Sequence, residues 1–459
     1  MVYSELIFLL VLFPITAIVT TFDRSTEYKN LILILSSVVF FSWGRPFAFC
    51  LIFLSVFADW LLGLAVSKNN GSRALAGLFL LIDALMNTGI FLVFSHNYLF
   101  DKADRLSFDT AILPLGIAFY SLRGFSYVYD VFKGHIRAEK NPLCLLTYMV
   151  SFHLMLVGPL VRYGEIEPQI RKREITTDKL NTGLNKIFLG LGKVVLLAGV
   201  FERIKLAGLN GAEITTLGCW LGMISFLGQY YFLFTGFSDM AKGLGLVGGF
   251  VYPDNYHDID PDGLFTGLVK SFNTTVTEFF AELLGLDKEH SKGFTFMAAI
   301  LCGGLLSLWY EARLNFLIVG LAAGVLIAFE KLVLAKPLSK FPAAVKYIYM
   351  ALVSMVIFGG LYFESTYGYK KWLFALLGVN TKYTLSVSVK YAVLKNITLI
   401  FIAIIIFLPF LKNAVIKLTD SIAAKGGKYY GFIRILKTVC TAFVFALSVI
   451  TLVVEYSGV

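Results

Sequence analysis

Thirteen stretches of this chain are apolar over most or all of the distance a helix needs to cross a bilayer, and its charges gather between them. A spanning helix needs about 20 mostly apolar residues. The stretches are Leu6–Val19, Leu31–Trp43, Phe47–Val66, Ala74–Phe94, Ile112–Tyr129, Leu143–Leu160 and Ile187–Phe201. They continue with Thr216–Phe234, Phe294–Tyr310, Leu314–Leu332, Ala344–Phe363, Ile397–Leu411 and Ile433–Val454. This pattern predicts an all-α polytopic bundle with roughly 11 to 13 membrane segments. Composition agrees: 58% of the residues are hydrophobic and only 15% charged, with a mean hydropathy of +0.76. A soluble chain of this size could not bury so much apolar surface. A secreted enzyme, a disulfide scaffold and a nucleic-acid module are therefore excluded.

The net charge of +10 suits cytoplasmic loops beside anionic lipid. The N-terminus carries no basic residue before Arg24, so it is expected outside, with Leu6–Val19 a retained first span. Arg24 and Lys29, Lys68 and Arg73, and Lys133, Arg137 and Lys140 then mark inner loops. So do Lys412, Lys417, Lys425, Lys428, Arg434 and Lys437. Leu31–Trp43 is short and is expected to pair tightly with the segment after Gly44-Arg45-Pro46. One region resists alternation. Arg162, Arg171, Lys172, Arg173 and Lys179 follow Leu143–Leu160 and would lie outside if that segment crossed. It ends in Gly158-Pro159, which breaks a helix ladder. Such backbone is tolerated at depth only inside protein. A re-entrant hairpin returning to the cytoplasmic side is expected there.

The stretch Phe265–Leu284 has one apolar face at helical spacing, with Lys270, Asn273, Glu278 and Glu282 over much of the rest. It is too polar to span and predicts a helix at an interface or in a protein cavity. No repeat or low-complexity tract divides the chain, which reads as one integral domain over residues 1–459. The five cysteines show no CxxC or Cys/His spacing, so neither a disulfide nor a structural metal is expected. They read as small buried hydrophobes.

Charge inside a membrane faces a bundle interior or a wet cavity. The candidates are Asp59, Asp83, Arg123, Asp130, Arg162 and Asp239, each otherwise a structural ion pair. Asp239 stands out because it follows a long apolar run. His153 sits in an apolar run before Gly158-Pro159 and reads first as an interhelical hydrogen-bonding residue, with a chemical role as the alternative. His257 and His290 fall in polar loops and read as solvated. Sequons at Asn70, Asn273 and Asn396 are too short to carry weight. No Walker-type loop, GxSxG elbow or HExxH is present.

Several ordered blocks are more specific. The first is Leu113-Pro114-Leu115-Gly116-Ile117-Ala118-Phe119-Tyr120, continuing to Tyr127-Val128-Tyr129-Asp130-Val131-Phe132-Lys133-Gly134. Phe152-His153 to Gly158-Pro159-Leu160-Val161-Arg162-Tyr163 follows, then Gly183 to Lys193, then Phe234 to Leu244 around Ser238-Asp239-Met240. Ser271-Phe272-Asn273 to Glu278-Phe279-Phe280 comes next, then Gly303-Gly304-Leu305 to Leu308-Trp309, with Gly320 and Glu330. Over roughly residues 30 to 370 the set resembles the membrane-bound O-acyltransferase superfamily. The nearest branch is the bacterial acetyltransferases of cell-surface polymers, of the alginate O-acetylation and teichoic-acid D-alanylation type.

The resemblance implies a membrane tunnel in which a histidine activates an acceptor hydroxyl against an acyl thioester or related donor. It implies no bound cofactor and no metal. Its partners would be membrane lipids and cell-envelope polysaccharide machinery or an extracytoplasmic acyltransferase, in a bacterial plasma membrane. Imidazole suits the role because its pKa lies near the operating pH. This chain departs at both histidine positions. Tyr310 follows Trp309 where the catalytic histidine belongs, and Leu284 falls near the position of the preceding one. Ala281 and Glu282 replace the basic residues before it, and Gly285 to Gly293 is shorter than the family's substrate loop. Tyrosine, with a pKa of about 10, is a poor base at neutral pH. The substitute bases nearby are Glu278, Glu282, Glu289, His290 and Glu311. The expected site is therefore Tyr310, Trp309, Glu311, His290 and Glu278, with Asn273, Leu284, Asp239, His153 and Arg162 along the tunnel. Three functions follow: a non-catalytic relative assisting polysaccharide modification or export, an active O-acyltransferase with a relocated base, and a transporter or lipid-handling protein.

Overall fold

The computed structural model describes residues 2–22, 25–43, 48–99, 116–155, 158–209, 214–288, 290–334, 337–338, 340–364, 374–379, 381, 384–424 and 426–457. The Gly44–Pro46 connection, Leu113–Leu115 of the first motif block, and Glu289 lie outside them. Among the described residues the chain is helical, and its one β contact is an isolated bridge between Tyr256 and Phe272. The helices are α1 (Phe13–Thr21), α2 (Thr26–Ser42), α3 (Ala48–Lys68), α4 (Arg73–Leu99), α5 (Ile117–Lys133), α6 (Pro142–Val150) and α7 (Tyr163–Arg171). Then come α8 (Thr177–Gly192), α9 (Gly199–Leu209), α10 (Thr216–Val247), α11 (Leu264–Ser271), α12 (Thr274–Leu283), α13 (Lys292–Tyr310) and α14 (Leu314–Phe329). The last are α15 (Ala343–Glu364), α16 (Val387–Lys395), α17 (Ile397–Phe407), α18 (Pro409–Ala423) and α19 (Gly427–Ser457).

Six helical stretches are long and apolar enough to cross a bilayer: Phe49–Lys68, Arg73–Leu92, Thr216–Val247, Lys292–Tyr310, Leu314–Leu334 and Gly427–Ser457. The bent pair α16 and α17 makes a seventh if it is one span. Phe8–Thr21 and Ala343–Gly359 are shorter apolar helices. In the six spans only 11% to 33% of the most apolar window is buried, so most of their hydrocarbon faces outward. Helices of that kind are stable in lipid and not in water.

The helices gather into two compact units. The first holds Met1–Ile187, Phe237–Asn255 and Leu308–Leu314. In it α3, α4 and α5 pack on one another, and α5 is buried almost throughout from Tyr120 to Val131. Helix α5 is bounded by two glycines in the left-handed region, Gly116 (φ 70°) and Gly134 (φ 75°). A side chain at Gly116 would place its Cβ 2.1 Å from the Met155 carbonyl oxygen, so both the turn and the close approach demand glycine there. Aromatic rings of Tyr3, Phe8, Phe40 and Phe152 fill the space beside α2. The Tyr3 hydroxyl donates to the Phe152 carbonyl at 2.6 Å.

The hairpin expected around Leu143–Leu160 takes a definite form. Asn141 caps α6, its side chain accepting from Leu143 N at 3.0 Å, and Pro142 starts the helix. Helix α6 stops after nine residues, about 14 Å at 1.5 Å per residue and under half of a bilayer core. A single 3-10 turn, Phe152–Leu154, follows, and Gly158–Val161 is non-helical. The chain then comes back alongside α6, where the Tyr148 hydroxyl donates to the Val161 carbonyl at 2.8 Å. The short α6 and the non-helical return beside it fit the hairpin expected from the placement of the basic residues.

The second unit holds Phe188–Gly236, Tyr256–Ser307 and Asn315–Val459. Here α13 and α14 meet through glycine. A Cβ on Gly303 or on Gly320 would lie 2.3 Å from the other residue's carbonyl oxygen. Such backbone contact is how helices associate when hydrophobic burial offers no drive between them. The continuous helix expected over Phe265–Leu284 is instead two. Phe272 is extended and Asn273 is left-handed (φ 55°), so α11 ends and α12 starts anew. Asparagine is among the few residues that enter this region readily. Phe272 uses the break to bridge Tyr256, their rings 4.9 Å apart.

Candidate functional site

A cavity of about 910 Å³ belongs to the first unit. It is lined by the loop after α5 and by the start of α7, including Arg137, Lys140, Arg162, Arg171, Asp130 and Glu139. The polar lining follows from the hairpin, which delivers both charged stretches to one place. Arg162 donates to Asp130 Oδ1 at 2.7 Å, and His135 Nδ1 lies 3.2 Å from the same oxygen. Glu139 is the hub. Its carboxylate accepts from the Tyr163 hydroxyl at 2.5 Å, from Arg171 Nη2 at 2.5 Å and from Asn141 N at 2.8 Å. Its backbone is held as well: its carbonyl accepts from Trp60 Nε1 at 2.8 Å and its N–H donates to the Tyr127 hydroxyl at 3.0 Å. Glu167 and then Glu139 hold the Arg171 guanidinium above its ordinary range, while burial and then the bond to Glu139 push the Tyr163 phenol up. The cavity can thus present fixed charges of both signs to a polar group.

A second, smaller space of about 20 Å³ in the same unit is lined by Thr16, Lys29, His153, Arg173 and Phe250. That volume holds one water molecule. His153 is buried, and its Nδ1 lies 2.8 Å from the Tyr252 hydroxyl. Its Nε2 has no hydrogen-bond partner among the described residues. Arg173 donates to the Gly248 carbonyl at 2.9 Å and to Asn30 Oδ1 at 2.5 Å, and lies 4.2 Å over the Phe250 ring. Burial pushes its guanidinium down to about 10. Asp239 is not beside His153 in any bond of this network. It is part-exposed and lies 3.6 Å from Lys186 Nζ.

Trp309, Tyr310 and Glu311 fall in the first unit. Trp309 is buried, its Nε1 donating to the Ala118 carbonyl at 3.0 Å and its ring meeting Phe119 edge-on at 4.7 Å. It therefore packs against the first motif block. Tyr310 is half-buried beside it, rings 5.2 Å apart. Glu311 is paired with Arg313 Nε at 2.8 Å. Glu278, Leu284 and His290 fall in the second unit. Glu278 and His290 are exposed and Leu284 is half-buried. The His290 ring stacks on Phe294 at 4.3 Å. Asn273 is fully buried at the α11–α12 break.

Three structural residues, Glu139, Glu330 and Tyr252, are not assigned a role by the sequence pattern. Glu139 sits between Arg137 and Lys140, and an acid inside a basic loop is a signal in retrospect. Glu330 was quoted as part of a motif without a task. It is 1% exposed, and its carboxylate accepts from Phe265 N at 3.1 Å, Thr266 N at 2.8 Å and Thr266 Oγ1 at 2.5 Å. It caps the N-terminus of α11, where a negative charge also meets the helix dipole. Tyr252 gave no signal.

Fold and charge distribution define a multi-pass membrane protein with a polar cavity. A sequence model of the membrane-bound O-acyltransferase family matches residues 125–364, more than half of the chain, from the second half of α5 to the end of α15. The chain belongs to the membrane-bound O-acyltransferase family. It is 27% identical to a probable alginate O-acetylase AlgI of Pseudomonas aeruginosa over 349 residues, 72% of this chain and 66% of that protein. It is 26% identical to the Azotobacter vinelandii protein of the same description over 373 residues, 78% of this chain and 74% of that one. A peptidoglycan O-acetyltransferase of Helicobacter pylori is 24% identical over 361 residues, 68% of this chain and 66% of that protein. The match therefore spans about two thirds to three quarters of each relative's length.

Proposed function

We propose that this chain is a family member without the hydroxyl-activating imidazole, and that it assists O-acyl modification or export of a cell-envelope polysaccharide without catalysing the transfer. The observation that carries the reading is the residue after Trp309. Tyr310 cannot take a proton at neutral pH as imidazole does, and its neighbour Glu311 is neutralised by Arg313. The substitutes Glu278 and His290 are exposed, where a base is neither desolvated nor oriented. The polymer class comes from the relatives, described as alginate and peptidoglycan O-acetylating proteins. The 910 Å³ cavity, with its fixed Arg162–Asp130 and Arg171–Glu139 pairs, is where a polar group of an acyl thioester donor or of a partner would seat.

One observation favours a second reading, an active enzyme with a relocated base. His153 is a buried imidazole with Nδ1 oriented by Tyr252 and Nε2 unengaged. Against it, the space at Nε2 admits a water and not a sugar hydroxyl with its ring. The test uses the purified full chain, a radiolabelled acetyl thioester, and alginate or peptidoglycan fragments as acceptor. The expected result is no transfer above the no-protein control. In the native host, deletion should lower polymer acetylation and Tyr310→Phe should restore it. Turnover lost on His153→Ala or on His290→Ala would overturn the non-catalytic reading and identify the base.

A further inference from the structure

The packed trio α3, α4 and α5 encloses a group of oxygens that the cavity and the motif residues do not use. Asp59 on α3 and Asp83 on α4 are both fully buried, and Asn87, one turn on from Asp83, is 3% exposed. Asn87 Nδ2 donates to Asp59 Oδ1 at 3.0 Å and to the Asp83 carbonyl at 3.2 Å, which fixes its amide with the oxygen on the other side. Six buried oxygens are then without a hydrogen-bond partner among the described residues: Asp59 Oδ2, both carboxylate oxygens of Asp83, Asn87 Oδ1, Tyr120 OH and Ser121 Oγ. Leaving even one such atom unpaired is costly.

The geometry around Gly124 explains how they converge. A Cβ built on Gly124 would lie 2.3 Å from Asp59 Oδ2 and 3.1 Å from Asn87 Oδ1. A carboxylate oxygen and an amide oxygen therefore border the same bare point on α5, from two different helices. The titratable groups that act on the pair are each other, with Tyr120 and Tyr127 of α5. No lysine, arginine or histidine among the described residues is a partner of either carboxylate. Arg123 is adjacent in sequence but directs Nη1 to the Tyr148 carbonyl at 3.0 Å.

We propose that Asp59, Asp83 and Asn87, completed by Tyr120 and Ser121, bind a hard metal cation inside the membrane part of the first unit. Oxygen-only ligands with two carboxylates suit such ions. A shared proton satisfies two of the six oxygens and leaves the others unpaired. This inference does not depend on whether the chain transfers acyl groups.

The experiment uses the full chain in detergent or nanodiscs. Equilibrium binding of ²²Na⁺ and of ⁴⁵Ca²⁺ is measured in parallel at matched ionic strength, with choline as the inert cation. One of the two is expected to bind at one ion per chain. Binding should fall at least tenfold in Asp83→Asn and in Gly124→Ala, whose methyl would lie 2.3 Å from Asp59 Oδ2 and displace that carboxylate. A measurement on unmodified protein covers the case in which those variants fail to fold. A hydrophobic carbodiimide, which labels protonated buried carboxyls, should modify Asp59 or Asp83 in choline and be blocked by the bound ion. No ion bound above background, with equal labelling in all three salts, would overturn the proposal and leave a pair that holds only protons.

Discussion

Replacing Glu139 by alanine tests whether the polar cavity is built on one carboxylate. The substitution leaves three donors behind. The Tyr163 hydroxyl is fully buried and loses its acceptor at 2.5 Å, a loss of about 1–3 kcal/mol. The Asn141 N–H, bound at 2.8 Å, adds about 1 kcal/mol. Arg171 is half-exposed and can turn to water, so its share is under about 1 kcal/mol. The sum is about 3 kcal/mol, which on the scale of a domain of 150–250 residues lowers Tm by roughly 6–12 °C. Glu139→Gln keeps one acceptor oxygen and should lose about half as much. The decisive variant is the double one. Tyr163→Phe removes the stranded hydroxyl, so Glu139→Ala with Tyr163→Phe should be more stable than Glu139→Ala alone. The assay is thermal unfolding of purified protein in detergent, with maleimide reactivity of Cys144 in a background lacking the other cysteines as a local probe. Cys144 lies at the start of α6, beside the loop Glu139 holds. If the two single effects simply add, Tyr163 and Glu139 do not depend on each other and the hub does not exist.

Two further outcomes follow from the second unit. Glu330→Ala should cost about 2–3 kcal/mol, because two backbone donors and a hydroxyl lose a buried acceptor; hydrogen exchange at Phe265 and Thr266 should quicken while amides in α14 change little. Gly320→Ala should destabilise by about 1–3 kcal/mol and Gly320→Leu by more, since the first added carbon already meets the Gly303 carbonyl; a melt of Gly320→Leu equal to the parent would refute the glycine contact.

The architecture was legible because lipid imposes its own pattern. Long uncharged runs could only be spanning helices, and the misplaced basic residues from Arg162 to Lys179 could only be reconciled by a chain that turns back. The reason lay in Gly158-Pro159, and the structure sharpened it by ending α6 at Val150. Phe265–Leu284 was misread because its apolar spacing resumes in phase after the break. The left-handed Asn273 costs a residue of that type little, so no proline or glycine marks the kink. Glu139 and Glu330 were legible as charges and not as hubs. Their partners Tyr163, Arg171, Phe265 and Thr266 lie 24 to 65 positions away, and no local pattern encodes such pairings.

On the proposed reading, the two neighbours at the end of α13 explain why a scaffold would keep Trp309 without a histidine after it. Trp309 has work that is independent of chemistry. Its indole N–H satisfies the Ala118 carbonyl, and its ring packs on Phe119, so losing it would unseat the motif block that opens α5. Tyr310 is half-buried and meets the Trp309 ring edge-on at 5.2 Å. A structural demand therefore retains the tryptophan, whereas only a chemical demand would retain a histidine after it. By the same reasoning, Trp309→Ala should impair folding, and Tyr310→Phe should leave stability within about 0.5 kcal/mol of the parent. A large loss of stability in Tyr310→Phe would show that its hydroxyl has a structural partner, and the replacement of histidine there would need a packing explanation instead.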